Sequence, residues 1–300
     1  MVLYEPDWEI TGNAIRSLAS QVDKLCIVDN TPDSDNSSRL VEYNNVHYIP
    51  LKTNKGIASA QNIGIKYLQD NEFPFILFSD QDTEAPDDIV AGLLKDFFLL
   101  SDNGYNVGLI GPMPINKKTQ KPYENKVRSV KEFVCGNKLF IESRYIISSF
   151  SLIPVENFNK VGYYYEDFFI DFVENEWCFR LKSRLSLSAY ISCRLKIQHE
   201  LGASGTFLGK QISISSPFRL YYQIRNYFWI RKLDYLYPQW IEQVRRKLIL
   251  KLIYYPIVPT NRISYLRSIF RGLKDGIKSK PDFLPKEPES SRCRERHRHN

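Results

Sequence analysis

The chain has 300 residues, of which 43% are hydrophobic and 25% charged, with a formal net charge of +7. That balance belongs to a globular chain with one large or two modest cores and excludes a disordered or fibrous one. No apolar run approaches the roughly 20 residues of a membrane span, since Lys251 and Pro256 interrupt the most apolar stretch, Leu248 to Val258.

Val2-Leu3-Tyr4 reads as a short buried strand stopped by Pro6. Asn13 to Ser20 fits a helix, Lys24 to Val28 a second apolar strand, Thr31 to Ser38 a polar loop, and Val46 to Pro50 a third strand. Over Gly56 to Gln69, Ile57, Ala60, Ile63, Ile65 and Leu68 recur at helical spacing. Pro74 to Phe78 is a fourth strand that runs directly into Ser79-Asp80-Gln81-Asp82. Asp87 to Leu100 is a helix whose first turn suits Asp87 and Asp88, and Val107 to Gly111 is a fifth strand. Such alternation with short connections implies an α/β fold, a mainly parallel sheet flanked by helices. Ligands then bind beyond the carboxyl ends of the strands. Glu132 to Gly202 is mixed: strand-like FVCGNKLFI, then SSFSLI, an aromatic loop, a helix, and a strand ending at His199. Arg219 to Ile277 reads as helices, with Val244, Leu248 and Leu252 on one face and basic residues flanking it. The Pro-, Glu- and Arg-rich tail from Pro281 is expected to be disordered.

Charge is unevenly placed. Arg219 to Lys280 holds 14 Lys/Arg against 3 Asp/Glu, while residues 1–218 carry a net charge of about −5. The acidic part suits a cation site, and the basic, aromatic part suits a surface facing anionic lipid or phosphate. Five cysteines (Cys26, Cys135, Cys178, Cys193, Cys293) with no paired spacing read as reduced thiols rather than a disulfide framework or a zinc site. The start of the chain shows no basic segment, long apolar run or cleavage site, so a cytoplasmic location is expected.

Two acidic clusters carry the chemistry. Asp80 and Asp82 follow a buried strand and flank Gln81, so alternation along an extended segment puts both carboxylates on one side. Such a pair suits Mg²⁺ or Mn²⁺ bridging a diphosphate, although a solvated turn has the same composition. The second cluster is FFIDFVENEWCFR, where Asp171 and Glu174 share a helical face and Glu176 lies two residues on. Carboxylates amid apolar side chains have raised pKa values and suit a general base. Asp29 closes the strand CIVDN and reads either as an acceptor for ribose or base groups or as an Asx turn. Thr53 to Gly64, rich in small residues, allows close approach of either a ligand or a neighbouring helix; it matches neither a dinucleotide fingerprint nor a P-loop. His199, between an apolar strand and a Gly turn, is a candidate metal ligand beside Asp82.

In this order, VLYEPD, CIVDN, TNKGIASAQNIGI, ILFSDQDT, SSFSLI, FFIDFVENEWCFR, IQHELG and RLYYQIRNY resemble the family 2 glycosyltransferases of GT-A fold, and within them the bacterial rhamnosyltransferases. The resemblance implies a catalytic unit over 1–215, with a nucleotide-sugar half at 1–115 and an acceptor half at 116–215. A helical region at 216–280 and a tail at 281–300 follow. It implies that Tyr4, Glu5, Asp29, Lys55, Gly56, Asn62 and Asp80 bind the nucleotide sugar. Asp82, His199 and Asp80 would hold the divalent cation. Glu174 or Asp171 would be the base, and Glu176, Trp177 and Arg180 would face the acceptor. It further implies dTDP-rhamnose as donor and a polyprenyl-diphosphate-linked saccharide of O-antigen or related assembly as acceptor, with the chain peripheral on the inner face of the plasma membrane. Two departures stand out: Phe150 occupies a place where the family tends to have Gly, which would crowd the acceptor side, and Glu174 one where Asp is commoner. A nucleotidyltransferase would need a basic Gly-rich loop where Glu5-Pro6-Asp7 stands, and a binding-only protein of this fold is a further alternative. No nucleic-acid-binding motif is present, so no such partner is expected.

Overall fold

The computed structural model describes residues 1–117, 119–123, 129–199, 204–207, 210–279 and 281–284, with His199, Ser204, Thr206, Phe207, Lys210, Gln211 and Ser213 described in their backbone alone. Strands β1 (Val2–Leu3), β2 (Leu25–Asp29), β3 (Val46–Pro50), β4 (Phe75–Leu77) and β5 (Val107–Asn116) alternate with helices α1 (Trp8–Ala19), α2 (Gly56–Asp70) and α3 (Ile89–Asp102). All five residues of β2 are buried, as a continuous apolar strand in a parallel sheet must be. Two boundaries differ from the reading above. Helix α1 starts at Trp8 because the Asp7 side chain caps it, accepting from the Glu9 N–H. Helix α3 starts only at Ile89, leaving Asp87 and Asp88 ahead of its first turn, with Asp88 in the left-handed region at φ 57°.

FVCGNKLFI is a hairpin rather than one strand. Gly136 and Asn137 take φ of 52° and 61°, as a two-residue hairpin turn requires, and separate β6 (Ser129–Cys135) from β7 (Lys138–Ser143). Then come β8 (Leu152–Pro154), α4 (Val155–Val161), α5 (Val173–Leu185), β9 (Ser188–His199), the small hairpin β10 (Ser204–Phe207) and β11 (Lys210–Ser213), and helices α6 (Pro217–Ile230), α7 (Pro238–Tyr254) and α8 (Arg262–Lys278).

Strands β1, β2 and β3 pair in parallel, and a six-stranded sheet runs β4-β8-β5-β9-β7-β6. Within the larger sheet β5 and β9 are parallel and the other neighbours antiparallel, so the α/β architecture is mixed. Gln81 joins the two sheets at their carboxyl ends: its amide accepts from the Tyr4 N–H at 2.8 Å and donates to the Tyr4 carbonyl at 3.1 Å. This fixes the side chain between Asp80 and Asp82 to β1.

The C-terminal helices share the main core. Trp240 of α7 packs against Tyr145, Phe172 and Phe179, and α8 lies close on α6 at Gly272 and Gly276. A Cβ at Gly272 would stand 2.9 Å from the Tyr221 carbonyl oxygen, so the contact depends on glycine. The expected disorder from Pro281 does not hold for its first residues: Phe283 stacks on Tyr165 at 4.5 Å and Leu284 is buried. Residues 285–300, including Cys293, lie outside the described residues. Cys26, Cys135, Cys178 and Cys193 are free thiols.

Candidate active site

A cleft of about 1690 Å³ opens at the carboxyl ends of β1 and β4, and Tyr4, Gly56, Asp80, Asp82, Asp171 and Glu174 line it together. The two acidic clusters, about ninety residues apart in sequence, therefore meet on one surface. Asp80 is half-buried and Asp82 exposed, at the mouth of the apolar strand that the carboxylates cannot follow into the core. Both offer hard oxygen donors, which fit Mg²⁺ or Mn²⁺. Among the described residues no third His, Cys, Asp or Glu joins them as a ligand cluster, so phosphate and water oxygens would complete the shell. His199 ends β9 opposite Asn116, and its side chain lies outside the description.

Glu174 sits in the first turn of α5. Burial pushes its carboxyl above the ordinary glutamate range, and the nearby charges of Asp171 and Asp80 add to the push, while a backbone N–H and Arg219 oppose it. Asp171 is held differently: Arg219 donates to both its oxygens, Nε at 3.1 and 3.0 Å and Nη2 at 2.9 Å. The raised proton affinity of Glu174 suits a base, and Asp171 is held in a bidentate ion pair. Lys251 also lines the cleft, within reach of the charges of Asp171 and Arg219; burial lowers its pKa to about 8, and its Nζ donates to Gln223 Oε1 at 2.5 Å.

Several expected site residues are placed elsewhere. Glu176, Trp177 and Arg180, expected on the acceptor side, are buried core: Arg180 pairs with Glu176 at 2.8 Å and donates to the carbonyls of Val161 and Tyr163, and Trp177 donates to that of Gly162. A helix shows one face to the cleft, and two positions beyond Glu174 points the other way. Asp29 is buried and does not line the cleft; it accepts from the Thr31 N–H, Asn36 Nδ2 and the Tyr48 hydroxyl. Asn62 is likewise spent on Tyr164 and Glu166. Glu5 and Lys55 are exposed and do not line the cleft.

Gly56 lines the cleft, but its lack of a side chain serves packing. With φ 81°, a Cβ there would stand 2.6 Å from the Phe169 ring, and the Phe169 carbonyl accepts from the N–H groups of Ile57 and Ala58. The first turn of α2 is thus occupied by the loop ahead of α5. Phe150 does not crowd the cleft either: it is fully buried in the core. Its φ of 56° explains why glycine suits that position. Sequence reasoning missed Arg219, Gln223 and Lys251 as wall residues. The available signal was Ser216-Pro217, a helix start whose next turn brings Arg219 and Gln223 to one face.

With this geometry established, comparison with known proteins identifies the family. The model of glycosyl transferase family 2 matches residues 2–162. The dTDP-rhamnosyl transferase RfbF of Shigella flexneri is 30% identical over 288 residues, covering 93% of this chain and 94% of that protein. Among solved structures, S. aureus TarS aligns with a TM-score of 0.53 at 14% identity, covering 94% of this chain and 48% of that one. GalNAc-T7, crystallised with UDP, GalNAc and Mn²⁺, aligns with a TM-score of 0.51 at 14% identity over 85% of this chain and 56% of that one. The chain thus spans about half the length of each of these two, and they establish its fold alone. The family match over more than half the chain, with the near full-length identity to RfbF, makes this chain a member of glycosyl transferase family 2, and so a glycosyltransferase.

Proposed function

We propose that the chain transfers rhamnose from dTDP-rhamnose, with inversion, to a polyprenyl-diphosphate-linked saccharide in cell-surface polysaccharide assembly. The observation that carries the reaction class is the meeting of Asp80, Asp82, Asp171 and Glu174 in one cleft. The donor is supported by the name of the RfbF relative.

Glu174 takes the proton of the acceptor hydroxyl as that oxygen attacks the anomeric carbon and the bond to the nucleoside diphosphate breaks. A single displacement inverts the configuration and needs no protein nucleophile. Asp80 and Asp82 would hold a divalent cation, which when bound would supply charge neutralisation for the departing diphosphate. Arg219 keeps Asp171 ion-paired, so its charge beside Glu174 stays partly compensated.

An anionic membrane is supported as partner by the outer face of α8. Tyr265, Ile269, Gly272 and Gly276 are buried. Ile263, Leu266, Phe270 and Ile277 form an exposed apolar stripe, and Arg267, Arg271, Lys274 and Lys278, each at helical spacing, form an exposed cationic stripe beside it. A helix of this kind lies in the lipid interface, each cation adding on the order of 1 kcal/mol at an anionic surface. None of the described helices is long and apolar enough to cross a membrane. The chain then works on the inner face of the plasma membrane, where its lipid-linked acceptor would lie.

The test is nucleoside diphosphate release from a panel of nucleotide sugars with Mn²⁺ or Mg²⁺, in wild type and Asp82→Ala. Metal-dependent release from dTDP-rhamnose that collapses in the variant is expected. Release from another donor only would discard rhamnose and keep the class.

A further inference from the structure

The backbone from Asp167 to Asp171 leads into α5, and each of its five carbonyls is engaged by another element. On one side, Ile57 and Ala58 of α2 donate to Phe169 O at 2.7 and 3.4 Å. On the other, α6 supplies everything else. Arg225 Nη2 donates to the carbonyls of Asp167 and Phe168. Asn226 Nδ2 donates to those of Phe168 (2.9 Å), Ile170 (2.8 Å) and Asp171 (3.2 Å). Asn226 is fully buried and does not line the cleft. Its Oδ1 accepts from Arg225 Nε at 3.0 Å and Nη2 at 2.8 Å, which turns its nitrogen toward the loop.

The loop has reason to need such a hold. Phe169, Asp171 and Phe172 have φ of 64°, 66° and 70°, a left-handed conformation that non-glycine residues keep only when their surroundings impose it. Strained backbone of this kind clusters where side chains must be aimed. Here the aimed side chains are Asp171 and Glu174.

We propose that Asn226, oriented by Arg225, is a positioning residue of the transfer reaction: it holds the 168–171 backbone so that Asp171 and Glu174 face Asp80 across the cleft. The proposal rests on the reading of Glu174 or Asp171 as base, and it gives α6 a part in turnover as well as in packing.

The test uses the full chain with dTDP-rhamnose and Mn²⁺, measuring kcat, KM and, separately, dTDP affinity. N226D keeps the side-chain shape but puts a second oxygen against three carbonyls. R225K keeps the charge but loses the fork that orients Asn226. N226D should lower kcat about 100-fold, the loss an ångström of misplacement produces, with KM and dTDP affinity within about 2-fold of wild type. Wild-type kcat in folded N226D would overturn the proposal. So would equal losses in kcat and dTDP affinity, which mark a scaffold role only. Should N226D fail to fold, R225K decides by the same criteria. E174Q and D171N are measured alongside: inactive carboxylate variants with an active N226D overturn positioning alone, whereas two active carboxylate variants overturn the base reading itself.

Discussion

Glu174 and Glu176 stand two residues apart at the start of α5, and their surroundings predict opposite responses to the same substitution. Glu176 is fully buried; Arg180 donates to its two oxygens at 2.8 and 3.0 Å, and the Tyr235 hydroxyl donates to Oε1 at 2.5 Å. Burial pushes this carboxyl up, and Arg180 and Tyr235 hold it back. Glu176→Gln keeps the shape and removes the counter-charge of a guanidinium that is itself 2% exposed. Removing one partner of a buried pair costs about 3–5 kcal/mol. In a chain of this size each kcal/mol moves the melting temperature by roughly 2–4 °C, so a fall of about 10 °C is expected. Glu174→Gln should behave otherwise. Its folded pKa lies above the unfolded value, so ionisation opposes folding at any pH above both, and the neutral amide leaves the melting temperature unchanged or raises it. Thermal unfolding followed by circular dichroism reads both variants. An E176Q melting temperature within about 2 °C of wild type would refute the reasoning, as would a larger fall in E174Q than in E176Q.

Glu174→Gln should nonetheless lower nucleoside diphosphate release roughly 10²–10⁴-fold while dTDP binding survives, the range expected for loss of a general base. In wild type the base must be ionised, so kcat should rise with pH through a limb above the ordinary glutamate range; a limb within that range would count against Glu174. Gly56→Ala forces a methyl to within 2.6 Å of the Phe169 ring in a backbone with φ 81°, so turnover and stability should fall together in paired kinetic and melting measurements. Phe270→Ser in the exposed stripe of α8 should weaken flotation with phosphatidylglycerol vesicles about 10-fold or more, from the apolar area withheld from lipid, and leave release from soluble donor untouched. Equal flotation of variant and wild type would argue that this face meets something other than lipid.

Much of the first half of the chain was legible in its residues. PFILF must be buried, and Asp80 and Asp82 cannot follow it into the core, so the acidic pair had to stand at a strand mouth wherever the sheet lay. A continuous apolar run and helical spacing likewise announce β2 and α2, because both are relations between near neighbours. The hairpin in FVCGNKLFI is legible too, in the turn pair Gly136-Asn137, although the apolar residues on both sides favour a single strand. The division of labour within the second cluster was not legible. Asp171, Glu174, Glu176 and Arg180 differ in role because Arg219, Tyr235 and the carbonyls of Val161 and Tyr163 come from elsewhere in the chain. Nor does CIVDN reveal that Asn36 and Tyr48 donate to Asp29, or RLYYQIRNY that Asn226 reaches the loop ahead of α5. Which segments are buried and where carboxylates must leave the core can be read from the residues, since burial and turn chemistry act over a few residues. Which carboxylate meets solvent and which meets a guanidinium was decided by tertiary structure alone, because partners tens of residues apart leave no periodicity to read.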